Sequence, residues 1–388
     1  MKYPFLWGIL IALIACKNDK PAPASETSSV PVKPEVYLYM ATVENLRVRE
    51  APNQSAKVVA QLAEGEFVEG SGAVSDNKDE IELRGRYFNE PYVEVTTATP
   101  EQLKGWAYGG GLLPTYAGSR AESPDLGRLM QYAFFLKSLS TKQLESGRRV
   151  WSHLRTNFAN AKGSLADAVF VMTEDFLRRM EHEGEFYKET ENKEWTEQDY
   201  REIVEDKFDY GRYPFTQNLP ACGFKLEAGE GMVFPVPDWK QYEVFFAEKT
   251  TPAMRSYIRQ RAMEYTETAW SDAALIIPIE ELIDRAAFWE KFNDQYPYFI
   301  LSRETTNAEE WMRFATVSGA DNTPVYDWET KDILPEFRKA WEYGQKKYPN
   351  TRLAAYIQKM SDLCAKNGWK YTDEVRRLIE AHWEQQTQ

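Results

Sequence analysis

The residue types that most often perform chemistry are sparse in this 388-residue sequence, which holds 3 cysteines and 3 histidines. Cys222 leads into GFKLEAGEGMVFPV, a hairpin-like segment rather than a helix start. The one histidine after it, His382, lies near the C-terminus, so the spacing does not support a Cys-His nucleophile pair. His153, His182 and His382 contain no short-spaced pair that would set two imidazoles on one helical face. In Glu181-His182-Glu183 the adjacent side chains of a helix point apart. Gly109-Gly110-Gly111 follows a strand-like segment but lacks the lysine and hydroxyl of a phosphate loop. The 60 acidic residues offer many carboxyl pairs, yet the separation that acid-base cleavage needs is a property of the fold. The sequence therefore assigns no catalytic residue, no metal ligand and no cofactor.

The cysteine with the clearest context is Cys16. MKYPFLWGILIALIAC has one cation, Lys2, then an apolar run from Phe5 to Ile14 too short to span a bilayer, the pattern of a signal peptide. Leu13-Ile14-Ala15-Cys16 resembles the lipobox of bacterial lipoproteins. That resemblance implies cleavage before Cys16, a diacylglycerol thioether on its sulfur and acylation of the new amino terminus. Several acyl chains, at about 0.8 kcal/mol per buried methylene, hold firmly where one chain is marginal. Lys17 rather than an acidic residue after the cysteine favours the outer membrane. Residues 16–35 carry Pro21, Pro23, Pro31 and Pro34 among small polar residues and read as a flexible tether. Formal net charge is −13, a field that disfavours nucleic acid and anionic headgroups. Export also permits Cys222 and Cys364 to form a disulfide, a matter of geometry that spacing leaves open.

Over residues 36–118 the pattern is strand-like. Leu46 and Val48 alternate with Arg47 and Arg49, a turn follows at Ala51 to Ser55, and KVVAQL runs from Lys57 to Leu62. NLRVREAP, KVVAQLAEGEFV, YVEV and GWAYGGGL, in that order, resemble a bacterial SH3 (SH3b) domain, with Asp76 to Arg86 as an expanded loop. The resemblance implies a small five-stranded barrel used for binding or targeting, often to cell-wall peptides. Its aromatic groove would be drawn from Tyr87, Phe88, Tyr92, Trp106 and Tyr108, the candidate ligand-binding residues. Tyr108 and Gly111 stand where a groove proline and tyrosine are usual in eukaryotic SH3 domains, which speaks against proline-motif recognition.

Residues 120–388 read as mostly helical, with apolar stripes at Leu126 to Leu136, Leu144 to Phe158 and from Leu165 onward, and a small hairpin turned at Gly229 to Gly231. Further helix starts are expected at Asp238, Pro252, Pro278, Glu309, Pro335, Asn350 and Asp373. Trp289-Glu290 precedes Tyr296-Pro297 by the same interval as Trp341-Glu342 precedes Tyr348-Pro349, which suggests stacked α-hairpins of a repeat-like kind.

The expected architecture is thus multidomain: a signal peptide over 1–15, the tether, an all-β SH3-like barrel, and a larger mostly all-α domain with one β-hairpin. The expected function is that of an envelope lipoprotein, periplasm-facing or surface-exposed, that binds a peptide, glycan or protein partner without catalysing a reaction. Its partners would be the membrane through the anchor and peptidoglycan or an envelope protein, not nucleic acid. The alternative is a cell-wall-acting hydrolase whose active site lies in the helical domain without a recognisable motif. Because the anchor is covalent, Cys16→Ser should release the protein from membranes while leaving it folded. Membrane pelleting after a salt wash checks this, and a serine variant that still pellets refutes the lipid anchor.

Overall fold

In the computed structural model, which describes residues 32–229 and 231–387, the alternating segments form seven strands. They are β1 (Val36–Ala41), β2 (Leu46–Arg49), β3 (Val58–Leu62), β4 (Phe67–Leu83), β5 (Arg86–Thr97), β6 (Lys104–Tyr108) and β7 (Leu112–Gly118). The expected lipid site, Cys16, and its leader and tether as far as residue 31 lie outside the described residues.

The strands build one antiparallel sheet in the order β3-β2-β6-β5-β4-β1-β7, and its edge strands β3 and β7 do not pair. This corrects the expected SH3-like barrel: the sheet is open and has seven strands. Two features account for the difference. The stretch Asp76 to Arg86, expected as a loop, is strand, because Ile81 and Leu83 alternate with Glu80 and Glu82 and pair across to Phe88 and Arg86. The result is a long β4–β5 hairpin closed by Arg84 and Gly85, whose φ values of 53° and 74° suit the two-residue turn that matches strand twist. Closure is also not needed to bury the sheet's apolar side. Met40, Phe67 and Leu113 belong to the same buried cluster as Leu129, Tyr132 and Phe176 of the helical region, while Leu46, Val48, Leu62, Val68 and Val95 form a second cluster within the sheet. Residues from Lys33 onward accordingly make one compact unit.

The helical region opens with α1 (Leu126–Lys137), α2 (Glu145–Asn157), α3 (Ser164–Glu183), α4 (Tyr187–Glu191), α5 (Glu197–Val204) and α6 (Leu219–Cys222). The hairpin β8 (Phe224–Gly229) and β9 (Met232–Pro237) follows. Then come α7 (Trp239–Phe246), α8 (Pro252–Thr266), the short pair β10 (Trp270–Ser271) and β11 (Ala274–Leu275), α9 (Ile279–Gln295) and α10 (Ser302–Ser318). A second short pair, β12 (Gly319–Ala320) and β13 (Thr323–Pro324), precedes α11 (Pro335–Lys347), α12 (Arg352–Lys366) and α13 (Asp373–Thr387). Side-chain caps start several of these helices: Asp125, Asp238, Thr251 and Thr351 each accept a backbone N–H, and Thr196 with Asp199 completes a capping box. Helix α10 starts at Ser302, seven positions ahead of the expected Glu309. Its first turns are rich in Thr and Asn, which favour caps over helix interiors, but Thr305 is wholly buried and the tertiary setting prevails.

Helices α7 and α8, α9 and α10, and α11 and α12 pack as successive hairpins, with α9 also against α11 and α10 against α12. The two echoed tryptophans anchor this stack. Trp289 and Trp341 are fully buried, and their indole N–H groups donate to Glu264 Oε1 (2.7 Å) and to the Thr316 carbonyl (2.8 Å). Glu290, beside Trp289, is equally buried and accepts the backbone N–H groups of Arg352 (2.7 Å) and Leu353 (2.9 Å), tying α9 to the start of α12. Glu290→Ala strands both donors and leaves a void. It should cost about 2–4 kcal/mol, read as a lower urea midpoint with unchanged m value.

Candidate functional site

A polar grouping with strongly shifted carboxyls starts from α3. Residues Ala166 to Thr173 are buried on every side of this helix, so the polar side chains that follow emerge into whatever space its neighbours leave. Glu174, Arg178 and Glu181 recur at intervals of four and three and share one stripe, spanning about 10 Å of helix axis. The Glu174 side chain is only 17% exposed, with Arg178 Nε 3.5 Å from its Oε1, and Arg178 also reaches Asp175 at 3.7 Å.

Other elements face this stripe. From α10, Glu304 accepts a hydrogen bond of 2.8 Å from the hydroxyl of Tyr257 on α8. Arg261, one turn along α8, lies over the rings of Tyr257 (5.6 Å) and Trp289 (5.0 Å) and pairs with Glu264 at 3.3 Å. Tyr265, a further turn on and 41% exposed, stacks on Trp239 with centroids 5.1 Å apart. Tyr242 of α7 is fully buried, and its hydroxyl, within electrostatic reach of Glu174 and Glu181, has no hydrogen-bond partner among the described residues. Glu227 of β8 and Arg86 of the β4–β5 hairpin also act electrostatically on Glu181.

The electrostatics follow from depth and crowding. Burial pushes the Glu174 carboxyl up to about 8 despite the pull of Arg178, and Glu304, Asp175 and Glu181 add to the rise. Glu181 is raised to about 7, first by burial and then by Glu227, with Arg178 and Arg86 opposing. Tyr265 is raised to about 12, again chiefly by burial. Two glutamic acids on one stripe of α3 are thus raised toward neutrality, a setting in which a carboxyl can donate as well as accept hydrogen bonds.

The five aromatics expected to form a groove are distributed differently. Tyr92 and Tyr108 lie in the sheet's core, edge-to-face at 5.6 Å; the Tyr92 hydroxyl donates to Asp79 Oδ2 (2.7 Å) and that of Tyr108 to the Asp79 carbonyl (2.8 Å). Phe88 and Trp106 are half-buried against the same cluster, and Tyr87 stands out at 70% exposure near the hairpin turn. Cys222 and Cys364 are both free, buried thiols, so the disulfide left open by the sequence is not made. Among the described residues no group of three or more His, Cys, Asp or Glu is arranged to hold a metal ion, and no helix is long and apolar enough to cross a membrane.

Adjacent Glu181, His182 and Glu183 point apart on the helix, whereas the spacing from Glu174 to Glu181 sets a charged stripe on a helix whose first half is mostly apolar, and that spacing is the sequence signal for this grouping. No protein-family model matches the chain, and neither a curated protein nor a solved structure matches it.

Glu174 carries a measurable consequence. Its folded value lies above the ordinary 4.5, so the unfolded chain loses its proton first, and stability falls as pH rises from about 4.5 to about 8. Glu174→Gln removes that term. The variant should gain about 1–3 kcal/mol on wild type between pH 5 and pH 8, measured by urea unfolding at both values.

Proposed function

We propose that the protein is an envelope-anchored binding protein, lipidated at Cys16, that takes a peptide or glycan partner of the cell wall in the cleft over α3. The observation that carries the binding reading is the part-exposed Tyr265 ring stacked on Trp239, 5.1 Å between centroids. Rigid aromatic faces of this kind supply contact area at low entropic cost. The anchor rests on Leu13 to Cys16 and the proline-rich segment after it, which would place the folded unit within reach of the wall.

One observation favours a second reading, hydrolysis. Glu174, protonated up to about pH 8, stands near a second carboxyl, Glu304, and a carboxylic acid of that kind is what a leaving oxygen requires as proton donor. The two readings separate in one experiment on isolated peptidoglycan sacculi. Binding predicts retention of the full-length protein without soluble product, and Tyr265→Ala should weaken that retention by about 1–2 kcal/mol, the loss usual for an aromatic anchor. Retention untouched by Tyr265→Ala refutes the cleft as the binding site. Time-dependent release of fragments, abolished in Glu174→Gln, would establish hydrolysis instead.

A further inference from the structure

Helix α3 carries a second stripe, Phe176, Arg179 and Glu183, at intervals of three and four. It forms one wall of a cavity of about 360 Å³, which the end of α1, the segment after it and three turns of the open sheet complete. That volume lies at the small end of the range usual for small-molecule sites, about 300–1,000 Å³. Three cations and three carboxylates line the cavity. Two of the cations are matched: Lys137 pairs with Glu44, and Arg179 pairs with Glu64 and Asp175, each at 3.2 Å.

One group of each sign is left over. Arg84, at the tip of the β4–β5 hairpin, has no ion pair and no side-chain hydrogen bond among the described residues. Glu183 likewise has no ion pair there, and its carboxylate accepts a hydrogen bond from the Thr141 hydroxyl. Burial and then Arg179 weaken the Arg84 cation, while Asp175, Glu64 and Glu183 support it, so the two unmatched groups sense each other without joining. The backbone adds a reason to single out Arg84. Its φ of 53° lies in the left-handed region, where asparagine or glycine is the usual choice for such a turn, so the turn itself does not call for an arginine.

We propose that this cavity binds a free α-amino acid with an apolar side chain, its carboxylate on Arg84, its ammonium on Glu183 and its side chain against Leu136, Leu139 and Phe176. This is a second site, and it does not depend on the binding reading of Tyr265. The planar guanidinium fork matches a carboxylate through two parallel hydrogen bonds. An ammonium brings three donors to a carboxylate that Thr141 already holds in place. Leu136 and Phe176 are buried and Leu139 is half-buried, which gives the ligand's side chain an apolar wall. The equal numbers of positive and negative groups decide between ligand classes. A simple anion would satisfy Arg84 and leave Glu183 unmatched, and a simple cation would do the reverse, whereas a zwitterion serves both and leaves the charge balance of the cavity unchanged.

The experiment titrates the full-length protein calorimetrically with leucine, methionine and phenylalanine, and then with the N-acetyl and amide forms of whichever binds tightest. Arg84→Asn removes the guanidinium and keeps the hairpin, because Asn-Gly is a favoured pair for this turn. Glu183→Gln removes the charge and keeps an oxygen acceptor for Thr141. Expected are binding of at least one free amino acid, at least tenfold weaker binding of each blocked form, and at least tenfold loss in each variant. Glu183→Gln should no longer distinguish the N-acetyl form from the free amino acid, and Arg84→Asn should no longer distinguish the amide. Binding of none of the three amino acids, blocked forms that bind as tightly as the free one, or a variant that binds like wild type overturns the proposal. Should a variant melt below wild type, the blocked ligands on the wild-type protein decide alone.

Discussion

Helix α3 is enclosed on all sides over its first half, and the rest of the fold is arranged to meet that constraint. Strand β7 of the open sheet, α1, α7 and β9 all pack against it, so that Val169, Phe170, Val171, Met172 and Phe176 lie at most 1% exposed. A helix buried this way cannot be amphipathic in the usual sense, with one face to water. Apart from Ser164, Asp167 and Thr173, its polar residues lie in the C-terminal half. Glu174 and Glu181 are partly covered because the helix that bears them is itself deep.

Buried carboxyls elsewhere in the molecule show what a structural role looks like. Asp199 is held near 2: burial pushes it up, but hydrogen bonds from Thr196, Arg212 and Tyr213 outweigh that. Glu290 is saturated by two backbone amides, Glu309 by Arg313, Arg352 and Asn293, and Asp167, though raised to about 6 by burial, accepts both the N–H and the hydroxyl of Thr251. Each pins one element to another and has its donors in place. Glu174 has one loose arginine contact and Glu181 has none. The contrast within a single chain, among residues of the same chemical type, sets Glu174 and Glu181 apart from the carboxyls that hold the fold together.

The sheet and the helical region both reach the C-terminal half of α3. The β4–β5 hairpin brings Arg84 and Arg86, on either side of Gly85, toward the C-terminal half of α3, where Arg84 acts on Asp175, Arg179 and Glu183 and Arg86 on Glu181 and His182. Arg303 at the start of α10 pairs with Glu90 on the same hairpin. A long hairpin from an open sheet can reach across in this way; a closed five-stranded barrel of short strands could not.

Much of the local structure was legible in the residues, the Asp76 to Arg86 hairpin and the start of α10 being the exceptions. Apolar alternation marked the strands, and turn and cap residues located the starts of α7, α8, α11 and α13 to within a residue, because these signals act over a few neighbouring positions. The Trp-Glu and Tyr-Pro echo located two helix ends for the same reason. What tertiary structure decided was every property that depends on segments far apart in the chain. Whether the sheet closes depends on what covers its apolar side, and Leu129, Tyr132 and Phe176 cover part of it. Whether Tyr92 and Tyr108 line a groove or fill a core depends on where their hydroxyls find acceptors, and Asp79 provides them. The groups that act on Glu174 and Glu181 come from α3, α7, α8, α10, β8 and the β4–β5 hairpin, spread over more than two hundred residues. The sequence supplied Glu174, Arg178 and Glu181 on one stripe, but only the fold withdrew the two carboxyls partly from water, and it is loss of water and not residue type that changes how a carboxyl behaves.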